Sequence, residues 1–160
     1  VLVPSGASLE QLHWVIQEAF GWENAHLHEF RVSDRRYGVN LEDGWGEPAL
    51  DERRATLKKV TRRGARFTYT YDFGDSWDHL VEVEDIVPFE PGGTYPRCLD
   101  GANACPPEDC GGAYGYHELL RAVADPAHPE HEDRLEWLGD DFDPGHFDLD
   151  DVNEVLTPFI

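Results

Sequence analysis

An amphipathic helix is predicted close to the amino end of the chain. Apolar residues recur there at intervals of three or four positions, at Leu9, Leu12, Val15, Ile16, Ala19 and Phe20. This spacing places them on one face of a helix. Ser8 and Gln11 stand in the arrangement of a capping box, and Gly21 follows the last apolar position. We therefore expect the helix to begin after Ser8 and to end before Gly21.

Alternation of apolar and polar residues predicts β-strands in the middle of the chain. Period-two patterns run through residues 26–32, 67–72 and 80–84, as in strands with one buried face. The last two patterns are joined through the short segment 73–77, which favours an antiparallel hairpin. Residues 33–55 are charged and contain glycine and proline, so they are predicted to form a long loop. Residues 56–63 are predicted to form one or two helical turns.

Helical patterns return towards the carboxyl end. Residues 88–112 are rich in proline, glycine and cysteine and are predicted to form a loop. Helices are expected after it at Tyr116–Ala124, Pro129–Leu138 and Asp148–Leu156. This order indicates an α+β fold, with a small, mostly antiparallel sheet packed against an N-terminal helix and a C-terminal group of helices. We expect one domain over residues 1–160, with Val1–Pro4 as the end of a strand that begins upstream.

The charge of the chain narrows the classes of partner. Its 160 residues include 33 acidic and 13 basic ones, for a formal net charge of −20. Such a field repels phosphate backbones, so a nucleic-acid partner is not expected. No stretch approaches the roughly 20 apolar residues of a membrane span, and no signal peptide is visible. We therefore expect a cytoplasmic protein with no membrane contact, whose partner is another protein or a small molecule.

Histidines and carboxylates around the predicted hairpin are candidates for a pocket. His26 and His28 are two positions apart on a predicted strand and therefore share a face. Asp72, Asp75 and His79 are their natural partners if the strands are neighbours. Together they could hold an ion such as zinc that activates water. The alternative is that the histidines bond backbone groups and the aspartates cap the turn.

Three further residues are candidates for the walls of this pocket. Trp77 lies within the hairpin segment, and Glu108 and Asp109 belong to the proline-rich loop. The two acids could be ligands, or they could cap backbone amides of the next turn.

Three cysteines are candidate metal ligands in the same loop. Cys98, Cys105 and Cys110 would complete a tetrahedral zinc site if His79 or His117 supplied the fourth ligand. Such a structural ion would hold a long loop that lacks periodic structure. Three reduced thiols, or one disulfide with one free thiol, are the alternatives.

An ordered set of motifs is shared with a known family. The motifs include Gly21-Trp22, His26-Leu-His-Glu-Phe30, Tyr71-Asp-Phe-Gly-Asp-Ser-Trp-Asp-His79 and Cys105-Pro-Pro-Glu-Asp-Cys-Gly-Gly112. Together they resemble the Ri-plasmid open-reading-frame-three family, whose members are described as similar to resolvase-like passenger proteins of an insertion element. The resemblance spans nearly the whole chain and implies an α+β domain, but no particular activity. Recombination itself is not supported, because the net charge of −20 opposes DNA contact.

The favoured function is that of a binding or accessory protein. It would have a metal-capable acidic/histidine pocket and a structural zinc in the cysteine-rich loop. One alternative is a metal-dependent hydrolase acting on phosphoesters, with ligands at His26, His28, Asp72, Asp75 and His79. Another is a mobile-element protein-interaction module that carries no chemistry.

Overall fold

The computed structural model describes residues 1–39, 48–139 and 142–156. In this part of the chain the helices are α1 Leu9–Phe20, α2 Leu57–Val60, α3 Gly112–Ala124, α4 His131–Leu138 and α5 Leu149–Leu156. The strands are β1 His28–Val32, β2 Arg35–Gly38, β3 Leu50–Asp51, β4 Arg66–Tyr71 and β5 Trp77–Glu82. A single 3₁₀ turn spans Glu52–Arg54. The architecture is α+β, as the sequence pattern predicts.

Helix α1 has both of the predicted ends. The Ser8 hydroxyl accepts the backbone N–H of Gln11 at 3.1 Å, and the Gln11 side chain accepts that of Ser8 at 2.9 Å. This capping box satisfies two amides that the first helical turn leaves free. Gly21 adopts φ 69 and its N–H bonds back to the helix, so the chain turns away there.

The five strands form one sheet in the order β3-β2-β1-β4-β5. All pairs are antiparallel except β2 with β3. The predicted hairpin is confirmed, because β4 and β5 pair from Arg66 opposite Glu82 to Tyr71 opposite Trp77. The strand before it in the sheet is β1, in which Phe30 lies opposite Tyr69. The 26–32 pattern and the hairpin are therefore neighbours.

Buried residues of the described ranges form two apolar clusters. The larger one joins α1 to the sheet and contains Leu9, Leu12, Phe30, Phe67 and Tyr69, all buried. The smaller one packs Val15 of α1 against Leu156 of α5 and the buried Cys98. No helix in the described ranges is long and apolar enough to cross a membrane.

The predicted loop over residues 33–55 is wrong in part. It contains β2, β3 and the 3₁₀ turn, while residues 40–47 lie outside the described part of the chain. Strand β2 has one apolar side chain, Tyr37, which is 6% exposed. A single inward residue leaves no period-two signal. The strand forms because Ser33 (φ 54) and Asp34 turn the chain back beside β1.

The helix boundaries differ by a few residues. Helix α3 begins at Gly112 rather than Tyr116, and α2 is a single turn. The early start of α3 follows the left-handed residue Gly111 (φ 89), which reverses the chain directly before the helix.

Candidate functional site

The turn between β4 and β5 is organised by Asp72. This residue adopts φ 55, and its N–H donates to the Leu27 carbonyl at 2.9 Å. Its Oδ1 accepts the backbone N–H groups of Gly74 at 2.9 Å and Asp75 at 3.3 Å. The predicted capping role is therefore present. Oδ1 accepts both of these bonds, so Oδ2 remains available for another partner.

The loop over residues 105–111 is fixed against this turn from one side. The Trp22 indole donates to the Pro106 carbonyl at 2.9 Å. The Tyr71 hydroxyl donates to Glu108 Oε1, which also accepts the backbone N–H of Glu23 at 3.3 Å. Glu108 thus anchors the loop to β4 and to the segment after α1. Burial and the bond to Glu108 raise the pKa of Tyr71.

A second anchor joins the end of the loop to the turn itself. The Gly111 N–H donates to Asp75 Oδ2 at 3.0 Å. The backbones come so close that a Cβ at Gly112 would lie 2.3 Å from the Asp75 carbonyl oxygen. Only glycine fits there. Asp75 therefore holds the loop in place rather than joining a cluster of ligands.

These anchors bring His26, Asp72 and Asp109 together. His26 Nε2 lies 3.0 Å from Asp109 Oδ1 and 3.7 Å from Asp72 Oδ2. One ligand atom from each residue falls within 4.8 Å of the other two. The buried Nε2 atom of His26 has no hydrogen-bond partner, although two carboxylates lie nearby. Among the described residues, this is the one group of three that could hold a metal ion.

Two of the three ligand spacings in this group fit a small divalent ion. Zinc binds imidazole nitrogen and carboxylate oxygen at about 2.0–2.2 Å, so two ligands of a tetrahedral site lie about 3.4 Å apart. The two histidine–carboxylate distances, 3.0 and 3.7 Å, bracket that value. Three protein ligands would leave a fourth position for water. The Asp109 side chain is 71% exposed, so that position would be open to solvent.

Comparison with known proteins identifies the family. Residues 1–151 match the family described as plasmid pRiA4b ORF-3-like protein. The chain belongs to this family. It is similar to the uncharacterized protein y4hQ of Sinorhizobium fredii, with 42% identity over 98% of this chain and 81% of the relative. It is also similar to the crystal structure of MM3350, a protein of unknown function from Methanosarcina mazei Go1. That likeness has a TM-score of 0.87 and 40% identity, and covers 93% of this chain and 84% of the other.

Two predicted pocket residues lie elsewhere in this plasmid pRiA4b ORF-3-like protein. His28 Nε2 is 2.9 Å from Glu52 Oε2, away from the carboxylates that face His26. His79 Nδ1 is 3.1 Å from the Tyr69 carbonyl, and its ring packs against Trp22. Burial lowers the pKa of His79. The contact of His79 is of the kind expected in the alternative, in which histidines bond backbone groups, whereas His28 bonds a side chain.

The remaining pocket candidate, Trp77, packs against the larger apolar cluster. Its indole nitrogen is buried without a hydrogen-bond partner. Trp77 therefore packs the hairpin against the core, and its nitrogen is not placed to bind a ligand.

The three cysteines of this family member are all free thiols. Cys98 packs in the smaller cluster and donates to the Asp100 carbonyl at 3.4 Å. Burial raises the pKa of Cys105 to about 12 and that of Cys110 to about 11. Within the described ranges, no three of these thiols and His79 come close enough to share an ion. His117 is exposed on α3.

A buried polar network was not predicted from the sequence. The His13 ring bonds the Tyr69 hydroxyl at 2.7 Å through Nδ1 and Asn24 Oδ1 at 3.0 Å through Nε2. Gln17 donates to the same hydroxyl at 3.0 Å. The His13 and His28 rings stack with centroids 3.5 Å apart. Burial and His28 lower the pKa of His13 to about 3. The available signal was two polar residues, His13 and Gln17, four apart within an apolar helix face.

Proposed function

We propose that this protein binds a divalent metal ion, with zinc as the first choice, through His26 Nε2, Asp72 Oδ2 and Asp109 Oδ1. The observation that carries the proposal is the convergence of three ligand atoms within 4.8 Å from three separately anchored segments. His26 lies just before β1, Asp72 begins the hairpin turn, and Asp109 lies in the docked loop. The protein would act as a binding or accessory protein that carries this ion.

Two properties of the site support a cation rather than a salt bridge alone. Asp72 contributes an oxygen that its capping bonds do not use, so binding would not dismantle the turn. The site also lies in a chain of net charge −20, whose field raises the local concentration of cations.

The test compares two carboxylates of the same turn. Asp72→Asn keeps an oxygen for the backbone amides and tolerates the positive φ, but removes a charged ligand. Asp75→Asn removes the same charge from a residue outside the group, while its amide oxygen can still accept the Gly111 N–H that anchors the loop. We expect zinc affinity, measured by calorimetry on protein stripped with chelator, to fall about tenfold or more in the first variant. The second variant should bind nearly as the wild type does. Equal loss in both variants would mean that general charge, not this site, holds the ion.

A metal-dependent hydrolase is the second candidate function. The exposure of Asp109, 71% of its side chain, favours it because a substrate could reach the ion. We would assay zinc- and manganese-dependent cleavage of bis(p-nitrophenyl) phosphate by wild type and Asp109→Asn. Turnover that persists in the variant would rule out this site as its source.

A further inference from the structure

A cavity lies beside the proposed metal site. Its volume is about 330 Å³, within the range of small-molecule pockets. Helix α1, the segment over residues 24–28 and the 3₁₀ turn form its walls. His26 lines it as well, so the two sites share one side chain. None of the sequence motifs points to this cavity as a separate site.

The inner wall of the cavity contains ionisable groups that are costly to bury. His28 and Glu52 have side chains that are 6% and 4% exposed, and they bond each other at 2.9 Å. Replacing such a pair by apolar residues is often neutral or stabilising, so the pair is weak evidence of a stabilising role. The pair therefore places a carboxyl group and an imidazole on the inner wall of the cavity.

The outer wall combines a carboxylate with exposed apolar groups. Trp14 is 37% exposed, Leu27 44% and Val39 56%. Half-buried Glu10 lies on the same helix as Trp14 and lines the same cavity. Glu10 also lies near Arg53, whose guanidinium is bonded to Asp51 and does not line the cavity.

The charges of the side chains that line the cavity determine which class of ligand it can bind. Apart from histidines, the ionisable side chains of the lining are the carboxyl groups of Glu10 and Glu52, and no lysine or arginine contributes. An anion such as a phosphate or carboxylate would find no counter-charge there. A metal ion is also disfavoured, because these carboxylates and His13 do not form a metal-capable group among the described residues.

We propose that this cavity binds a small organic cation, with an ammonium or guanidinium head and a short apolar body. The head would pair with Glu10 and lie against the Trp14 indole face, since tryptophan attracts cations through its ring. The body would contact Leu27 and Val39. The proposal shares His26 with the metal site but does not depend on a bound ion.

The experiment uses three probes of one shape and different charge: benzylammonium, benzyl alcohol and benzoate. Binding to the chelator-treated protein is followed by NMR shifts of the Trp14 indole N–H and the Asn24 side-chain amide. We expect benzylammonium to bind saturably and most tightly, and benzoate to bind least. Equal binding of all three, preference for benzoate, or no shift of these signals would overturn the proposal.

Matched variants separate the cavity from the metal site. Glu10→Gln should weaken benzylammonium about two- to fivefold and leave benzyl alcohol unchanged. Glu18→Gln, a carboxylate of α1 outside the cavity lining, should have no effect. Asp109→Asn should leave benzylammonium binding intact even though it removes a metal ligand. A loss in Asp109→Asn as large as that in Glu10→Gln would show that the cation binds at the carboxylate cluster instead.

Discussion

His13 makes the stability of the fold depend on pH in a calculable way. Its ring is 2% exposed and bonded at both nitrogens, to Tyr69 and to Asn24. Stacking on His28 adds a second ring that would repel a charge on it. Glu52, which lines the same cavity as His13, is engaged with His28 instead. Protonation of His13 is therefore disfavoured, and its pKa falls from 6.5 to about 3.

The direction of the change in stability with pH follows from the pH range in which each state, folded or unfolded, binds the proton. In the unfolded chain His13 binds a proton below its ordinary pKa of 6.5, whereas in the folded protein it stays neutral down to about 3. Between these values the unfolded state holds more protons, so stability falls as pH falls. The loss from this residue is about 2 kcal/mol between about pH 8 and pH 5, and at most about 5 kcal/mol below pH 3.

The assay is urea unfolding of wild type and His13→Gln at about pH 8 and pH 5. Loss of the hydrogen bonds destabilises the variant at both pH values by a similar amount. The wild type loses the additional 2 kcal/mol or so on acidification, and the variant does not. The stability gap between the two proteins should therefore narrow by about that amount at the lower pH.

A control variant, His117→Gln, shows what removal of an exposed histidine does to the same measurement. The reasoning is refuted if the gap between wild type and His13→Gln is the same at both pH values, or widens on acidification. An unchanged gap would mean that His13 takes up a proton in the folded protein about as readily as in the unfolded chain, and a wider gap would mean that it does so more readily.

Three other substitutions or reactions test how the docked loop is held. Gly112→Ala should cost about 1–3 kcal/mol more than Gly64→Ala in thermal or urea unfolding. Both glycines have positive φ (66 and 74), but the space beside Gly64 is open. Tyr71→Phe should cost about 1–2 kcal/mol, because it removes the donor that ties half-buried Glu108 to β4, and Tyr95→Phe should cost less, because the Tyr95 hydroxyl makes only a solvent-exposed bond with the Glu90 N–H. Iodoacetamide should alkylate Cys110 roughly a hundredfold more slowly in the folded than in the urea-unfolded protein, because its pKa is about 11 rather than 9. Comparable alkylation rates in the folded and the unfolded protein would contradict the burial of the Cys110 thiol.

The elements that were predictable from the sequence have local causes. Helix α1 is specified by its apolar spacing, a capping box and Gly21, all within a few residues. The hairpin is specified by two alternating segments and a short acidic turn. In each case the information lies in neighbouring residues, and tertiary packing agrees with it.

Elements that depend on distant partners were not predictable in the same way. Strand β2 exists because β1 offers it a free edge, and its own residues are mostly charged. The candidate metal site shows the same limit. His26, Asp72 and Asp109 were all candidates, but their sequence gave no reason to choose them over His28, Asp75 or Glu108. The choice is made by the anchors of the docked loop, which are long-range hydrogen bonds.

The two aspartates of the proposed site differ in a way that bears on its function. Both adopt a left-handed backbone, with φ 55 at Asp72 and φ 57 at Asp109, a conformation that costs most residues about 1–2 kcal/mol. Asp72 has a structural reason to be there, since its Oδ1 caps the turn. The Asp109 carboxylate is largely exposed, and its close contact is with His26 Nε2 at 3.0 Å. Glycine would adopt this backbone conformation at a lower cost in free energy, but it would lack the carboxylate that contacts His26. The proposed ligand role for Asp109 would use this exposed carboxylate, whose contact with His26 also ties the loop to the segment before β1.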